Sequence, residues 1–174
     1  MNIDREPDSA KPPIGAWRNW YALVATFFGV GRLSKMPGTL GTFVAFLLFI
    51  LFGGINVYAF GVIVAVGTLA ADRYVKMSAS DTHDEIIIDK IAGYWAAMLG
   101  LDSSYSIIVF FLFRIAGILK PFPMSMAERL PGGIGIMADD ISCGIIINVI
   151  VRMLTWLFFK QGFDVIYQYL GIGA

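Results

Sequence analysis

Polar and apolar positions in this chain fall into long blocks. From Met36 to Ala71 there is no Asp, Glu, Lys, Arg or His in thirty-six residues. That is too long for one membrane span of about 20 residues. The turn-like Gly53-Gly54-Ile55-Asn56 divides it into a hairpin of two short helices. Asp72 to Lys90 is polar. Ile91 to Phe113 is apolar again except for Asp102, in the break Asp102-Ser103-Ser104, and predicts a second hairpin. Its return arm carries Arg114 and stops at Lys120-Pro121-Phe122-Pro123, because proline ends a helix and restricts the residue before it. Ile141 to Phe159, interrupted only by Arg152, predicts a fifth segment. Near the start, Trp17, Trp20 and Tyr21 are the aromatics favoured at a membrane interface. The uncharged run behind them, Asn19 to Gly31, is short, which predicts an interfacial or half-inserted helix. Met1 to Ala16 reads as a mobile tail, leaving 17–174 as a single helical domain. The predicted fold class is therefore mainly α: a polytopic helical membrane protein with about five short membrane segments in hairpins plus an N-terminal interfacial helix.

Composition sharpens this picture. The chain is 57% hydrophobic with a mean hydropathy of +0.73, too apolar for an ordinary soluble domain. Thirteen basic and thirteen acidic residues cancel, so nothing points to nucleic acid as a partner. Cys143 is the sole cysteine, which excludes an intrachain disulfide. The polar first residues carry no pattern of a removable signal peptide. Two hairpins and a last span put three loops on one side: Gly31–Gly38, Asp72–Lys90 and Lys120–Asp140. They hold Arg32, Lys35, Arg73, Lys76, Lys90, Lys120 and Arg129. The opposite turns, Gly53–Asn56 and Asp102–Ser104, hold no lysine or arginine. The positive-inside rule makes the charged side cytoplasmic.

The densest candidate chemistry is Pro131-Gly132-Gly133-Ile134-Gly135-Ile136-Met137-Ala138-Asp139-Asp140. Glycine allows close backbone approach. Asp139 and Asp140 fall where the last apolar helix should begin, and there they could cap it and complement its dipole. Carboxylates are also what Mg²⁺ takes, one or two at a time with water and phosphate completing the shell. The same side gathers Asp89, Glu85, Arg114 and Lys120. Carboxylates beside cations and a glycine loop suit metal-assisted phosphoryl chemistry. Ends of spans are equally where Arg and Lys snorkel. His83, the sole histidine, has acidic neighbours that fit a solvated loop residue as well as a catalytic one. There is no zinc spacing, Walker loop or nucleophile elbow.

Several stretches, in order, resemble the phosphatidylglycerophosphatase A family of bacterial inner-membrane lipid phosphatases. They are Pro37-Gly38-Thr39-Leu40-Gly41-Thr42, Glu85-Ile86-Ile87-Ile88-Asp89 with Gly93, Phe113-Arg114-Ile115, Lys120-Pro121-Phe122-Pro123 and Gly132 to Asp140. The resemblance implies Mg²⁺-dependent removal of the terminal phosphate of phosphatidylglycerophosphate, giving phosphatidylglycerol, at the cytoplasmic face. It implies Asp89, Asp139 and Asp140 as catalytic metal-holding residues, with Glu85 beside them. It implies Arg114 and Lys120 as phosphate grips, with Thr39 and the loop glycines Gly132, Gly133 and Gly135 admitting phosphate closely. Two positions depart from the family pattern. Its Asp-Glu pair is Asp89-Lys90 here, and its Asp one turn after the Phe-Arg pair is Gly117. Those departures keep open a non-catalytic relative that binds anionic lipid or a membrane partner. A small channel or carrier is the third class, since charged residues near spans can line a pathway.

Overall fold

A computed structural model describes residues 19–33, 36–77, 85–119 and 130–170, with side chains to residue 158. The expectations for Met1–Ala16, Trp17, Lys35, His83, Lys120–Pro123 and Arg129 lie outside the described residues. Among the described residues every regular element is helical. In chain order these are α1 (Trp20–Ala25), α2 (Pro37–Phe52), α3 (Val57–Met77), α4 (Ile88–Met98), α5 (Ser106–Leu119) and α6 (Gly132–Leu170), with 3₁₀ turns at Val30–Arg32 and Ser103–Tyr105.

The helix breaks fall where turn chemistry demands them. Pro37 opens α2, where its fixed φ fits the first turn and its missing N–H costs nothing. Gly53, at φ 68°, closes it in the left-handed conformation open to glycine. Asp102 turns the chain into α5: its carboxylate accepts the Ser104 hydroxyl and, at 2.9 Å, the Ser104 N–H, and these bonds, the hydroxyl's first, hold the Asp102 carboxyl below its ordinary value.

Of the five expected membrane segments, only two among the described residues have the length and apolarity of a span: Val57–Met77 and Gly132–Phe158. The 16 residues of α2 reach about 24 Å at 1.5 Å per residue, and the 14 of α5 about 21 Å, against a hydrocarbon core of about 30 Å. At 11 residues α4 is too short to cross. The N-terminal helix is only six residues long and lies against α3, burying Ala22 and Ala25. The left-handed residues Phe27 and Phe28 (φ 45° and 55°) end its direction there.

Burial assigns the helices their places. All of α4 is buried except Lys90, which is half-buried, so the short and relatively polar helix is the axis of the bundle. Helices α2, α3, α5 and α6 pack around it. The outer helices turn large apolar side chains outward: Leu47 and Leu51 on α2, Val62, Val66 and Leu69 on α3, Phe111, Ile115 and Ile118 on α5, Ile145, Val149 and Met153 on α6. Exposed apolar surface on this scale marks an interaction surface, and around helices of span length it suits lipid. Contacts along α4 fix its neighbours. Trp95 Nε1 donates to the Ala45 carbonyl of α2 at 3.0 Å, and the Tyr94 hydroxyl donates to the Ser106 carbonyl of α5 at 3.0 Å.

Candidate active site

Helices α4 and α6 run parallel and nearly touch. A Cβ on Gly93 would stand 2.5 Å from the Asp140 carbonyl oxygen, and one on Gly144 2.1 Å from the Gly93 carbonyl oxygen. Only glycine permits such an approach, as in other packed apolar helices. Four residues separate Asp89 from Gly93 and Asp140 from Gly144, so each Asp shares the contact face of its own helix, one turn before the crossing. The crossing therefore delivers both carboxylates to the same place at one end of the bundle.

Between them lies Lys90. Its Nζ is 2.6 Å from Asp89 Oδ2 and 3.1 Å from Asp140 Oδ2, and the Lys90 N–H donates to Asp89 Oδ1 at 2.8 Å. The Asp89 side chain is only 4% exposed and that of Asp140 14%. Burial pushes the Asp89 carboxyl up and the Lys90 ammonium pulls it back, with a net rise. Burial pulls the Lys90 ammonium down, but Asp140 and Asp89 outweigh it and hold the ammonium above its ordinary value. The ammonium is thus paired with both carboxyl groups, as a buried charge must be.

A second cation faces the trio. A Cβ on Gly38 would lie 3.3 Å from Arg114 Nη1 and 3.5 Å from Lys90 Cε, so Arg114 of α5 and Lys90 of α4 converge over the first turn of α2. Met36, at the cap position, supplies no side-chain cap to that turn. Thr39 sits within the turn, its N–H donating to the Met36 carbonyl at 3.1 Å. A helix start with its dipole, flanked by a guanidinium and an ammonium, is suited to an anion.

The remaining expected site residues are distributed differently. Glu85 does not join the carboxylates: its Oε2 accepts from Arg32 Nε at 2.7 Å and from the Tyr74 hydroxyl, which itself accepts from Arg32 Nη2 at 2.8 Å. The glycines expected in a phosphate loop are helical instead. Helix α6 begins at Gly132, not near Ile141, and a Cβ on Gly133 would stand 2.2 Å from the Asp72 backbone nitrogen of α3. Gly132 and Gly133 thus serve the α3–α6 crossing, and Gly135 is buried one turn into the helix. Asp139 and Asp140 accordingly lie two turns inside α6, too deep to cap it. Asp139 precedes Asp140 by about 100° around the axis and points along a different direction. Gly117 is on α5 with Arg114 Nη1 4.0 Å from its Cβ position. Lys120 lies outside the described residues.

The donor set matches magnesium only in part. Asp89 and Asp140 are the right chemistry for Mg²⁺, which takes few carboxylates and keeps water or phosphate. Among the described residues, however, no group of three or more His, Cys, Asp or Glu side chains is placed to hold a metal. The space between the two carboxylates is filled by an ammonium. As arranged, the pair does not fit a metal ion.

Residues absent from the sequence-based list complete the frame. Asn148 Nδ2 donates to the Ala97 and Leu99 carbonyls at 2.8 and 3.0 Å, and Arg152 Nη2 to the Leu99 and Gly100 carbonyls at 3.0 and 2.9 Å. With Asp140 and Gly144 they form one stripe along α6 at intervals of four, a period readable in the sequence. Arg152 also places a cation at the end opposite the carboxylates.

Comparisons with known proteins agree on one lineage. The family model for phosphatidylglycerophosphatase A matches residues 23–155. The chain is 30% identical over 152 residues to phosphatidylglycerophosphatase A of Escherichia coli K12, covering 83% of this chain and 88% of that one. It is 32% identical over 138 residues to phosphatidylglycerophosphatase A of Haemophilus influenzae Rd, covering 74% and 85%. It is 26% identical over 148 residues to a Bacteroides thetaiotaomicron protein provisionally named a phosphatidylinositol-3-phosphatase, covering 78% and 93%. No solved structure matches the chain.

Proposed function

The chain belongs to the phosphatidylglycerophosphatase A family, and on that premise we propose that it hydrolyses the terminal phosphomonoester of phosphatidylglycerophosphate to give phosphatidylglycerol. The observation that carries the reading is the convergence of Arg114 and Lys90 over Gly38 at the start of α2, directly beside Asp89 and Asp140. A phosphomonoester dianion needs opposing charge held in place before it reacts, and fixed cations in a partly dry site supply it without reorganisation. Arg114 presents a planar fork suited to two phosphate oxygens. The positive end of α2, including Thr39, faces the same oxygens. Water adds to phosphorus as the P–O bond to glycerol breaks, so the water must lose a proton and the leaving alkoxide gain one. Asp140, beside the two cations, is assigned that proton traffic, with Asp139 next to it on α6. Magnesium is the cofactor that the family resemblance implies; with Lys90 in its present place the binding steps are assigned to the chain's own residues.

In this reading the outer helices sit in the bacterial inner membrane, crossing it more than once. The carboxylate end lies at the cytoplasmic face, where Arg32, Arg73, Lys76, Lys90 and Arg114 gather. The acyl chains of the substrate stay in lipid against the apolar outer faces while the head group reaches α2. The alternative is a non-catalytic relative that binds anionic lipid, and Lys90 between the carboxylates is the observation that favours it. Phosphate release from phosphatidylglycerophosphate by the purified protein in detergent, with Mg²⁺ and with chelator, tests the proposal. Phosphatidylinositol 3-phosphate and soluble glycerol phosphate are the comparison substrates. Binding of the lipid with no release under any condition would establish the alternative.

A further inference from the structure

The stem of Lys90 is guided to its position by the surface of α2. Gly38 and Gly41 are three residues apart on one face of that helix. A Cβ on Gly41 would lie 3.4 Å from Lys90 Cβ, and one on Gly38 3.5 Å from Lys90 Cε. The two glycines leave that face of α2 without side chains, and the Lys90 stem passes over it from Cβ to Cε. The ammonium therefore reaches the carboxylates on a packed stem, with its side chain only 23% exposed. An ammonium has three N–H donors. Asp89 Oδ2 and Asp140 Oδ2 take two, at 2.6 and 3.1 Å, which leaves one for a further acceptor.

We propose that Lys90 is the resident cation of this site: it occupies the seat between Asp89 and Asp140 that a divalent ion would need, and it gives its remaining N–H to an oxygen of the phosphomonoester held with Arg114 at the start of α2. A divalent ion entering that seat must first evict a packed ammonium and then face its charge. Lys90 sets one cation between the two carboxyl groups, and Arg114 adds a second beside it before the phosphate arrives. Lys90 is thus a substrate-touching residue whose charge replaces part of what a metal would supply. The identity of the anion rests on the lipid-phosphatase reading; the occupation of the cation seat does not.

Mn²⁺ serves as the probe of the seat. Its binding to the purified full chain in detergent is titrated by electron paramagnetic resonance for wild type, Asp140→Asn, Lys90→Met and Lys90→Met with Asp140→Asn. Wild type should bind Mn²⁺ weakly and without dependence on Asp140. Lys90→Met should gain one site, tighter by at least about tenfold because a buried like charge has been removed, and the added Asp140→Asn should abolish it. Phosphate release by wild type should persist in chelator. Tight Mn²⁺ binding by wild type that Asp140→Asn removes would overturn the proposal. So would a site in Lys90→Met that does not need Asp140, no gain of a site in a folded Lys90→Met, or wild-type turnover that vanishes in chelator. Should Lys90→Met fail to fold, the wild-type and Asp140→Asn titrations decide alone. No phosphate release in any condition would sink the phosphatase reading, while the Mn²⁺ titration would still decide who holds the seat.

Discussion

Replacing Gly144 by alanine should separate the two halves of the site without touching a charged group. The new Cβ would stand 2.1 Å from the Gly93 carbonyl oxygen, 2.9 Å from Ala96 Cβ and 3.0 Å from the Ala97 nitrogen. Two of these neighbours are backbone, so no side chain can swing away to relieve them. Ordinary contact begins near 3.4 Å, so α4 and α6 must part by roughly 1.3 Å at this point, and overpacking of this kind costs about 1–3 kcal/mol. In a chain of this length that lowers Tm by about 2–4 °C per kcal/mol. Asp140 lies one turn away on the same face. Its bond to Lys90 is already 3.1 Å long, and a further displacement of about 1 Å takes it beyond the roughly 3.5 Å reach of a hydrogen bond. Misplacing a reacting group by about 1 Å can cost about 100-fold in rate. Gly61→Ala is the control, because nothing lies within 4 Å of its Cβ position on α3, and alanine there should favour the helix by up to about 1 kcal/mol. The assay pairs thermal unfolding by circular dichroism with phosphate release in detergent. A Gly144→Ala protein with unchanged Tm and turnover within about threefold of wild type would refute the close-crossing argument, threefold being under 1 kcal/mol.

The other predictions address single groups. Asp140→Asn should lower turnover by about 100-fold or more, as loss of a positioned acid–base group does, while the protein stays folded; full activity would remove Asp140 from the site. Arg114→Gln should raise KM for the lipid phosphate by about 10-fold or more, since a hydrogen bond to a charged group is worth about 1.5–3 kcal/mol; an unchanged KM would show that phosphate binds elsewhere. Glu85→Gln should leave turnover within about threefold of wild type, under 1 kcal/mol, because Glu85 serves Arg32 and Tyr74; a collapse of activity in a folded protein would return it to the reaction. Arg152→Met should lose the bonds to the Leu99 and Gly100 carbonyls and about 1–2 kcal/mol of stability, read as a lower Tm with KM unchanged.

The order of helices and turns was written locally. An uncharged block, a Gly-Gly turn, a proline and a Ser-flanked aspartate each act within a few residues, so the breaks at Gly53 and Asp102 could be read directly. The collection of charge at one end followed from the same blocks, because an even number of reversals returns the chain to the same side. Gly132 misled for a local reason too: three glycines in four positions read as a loop, since glycine is a poor helix former. Only the packing of α6 on Asp72 and Thr68 of α3 makes a helix start there. Which helix would be the axis was not local at all. Helix α4 reads as one arm of a hairpin like any other, yet the bundle buries it on every side, because its Gly93, Ala96 and Ala97 let neighbours come close. The sequence could nominate Asp89, Asp140 and Arg114 by type, and it exposed Lys90 as a departure. It could not say that Lys90 lies between the two aspartates. Lys90 and Asp140 are 50 residues apart, and their meeting depends on the depth of one glycine crossing and on the face that Gly38 and Gly41 leave without side chains on a third helix. Such distances are set when faces pack, and nothing within one turn of either residue encodes them.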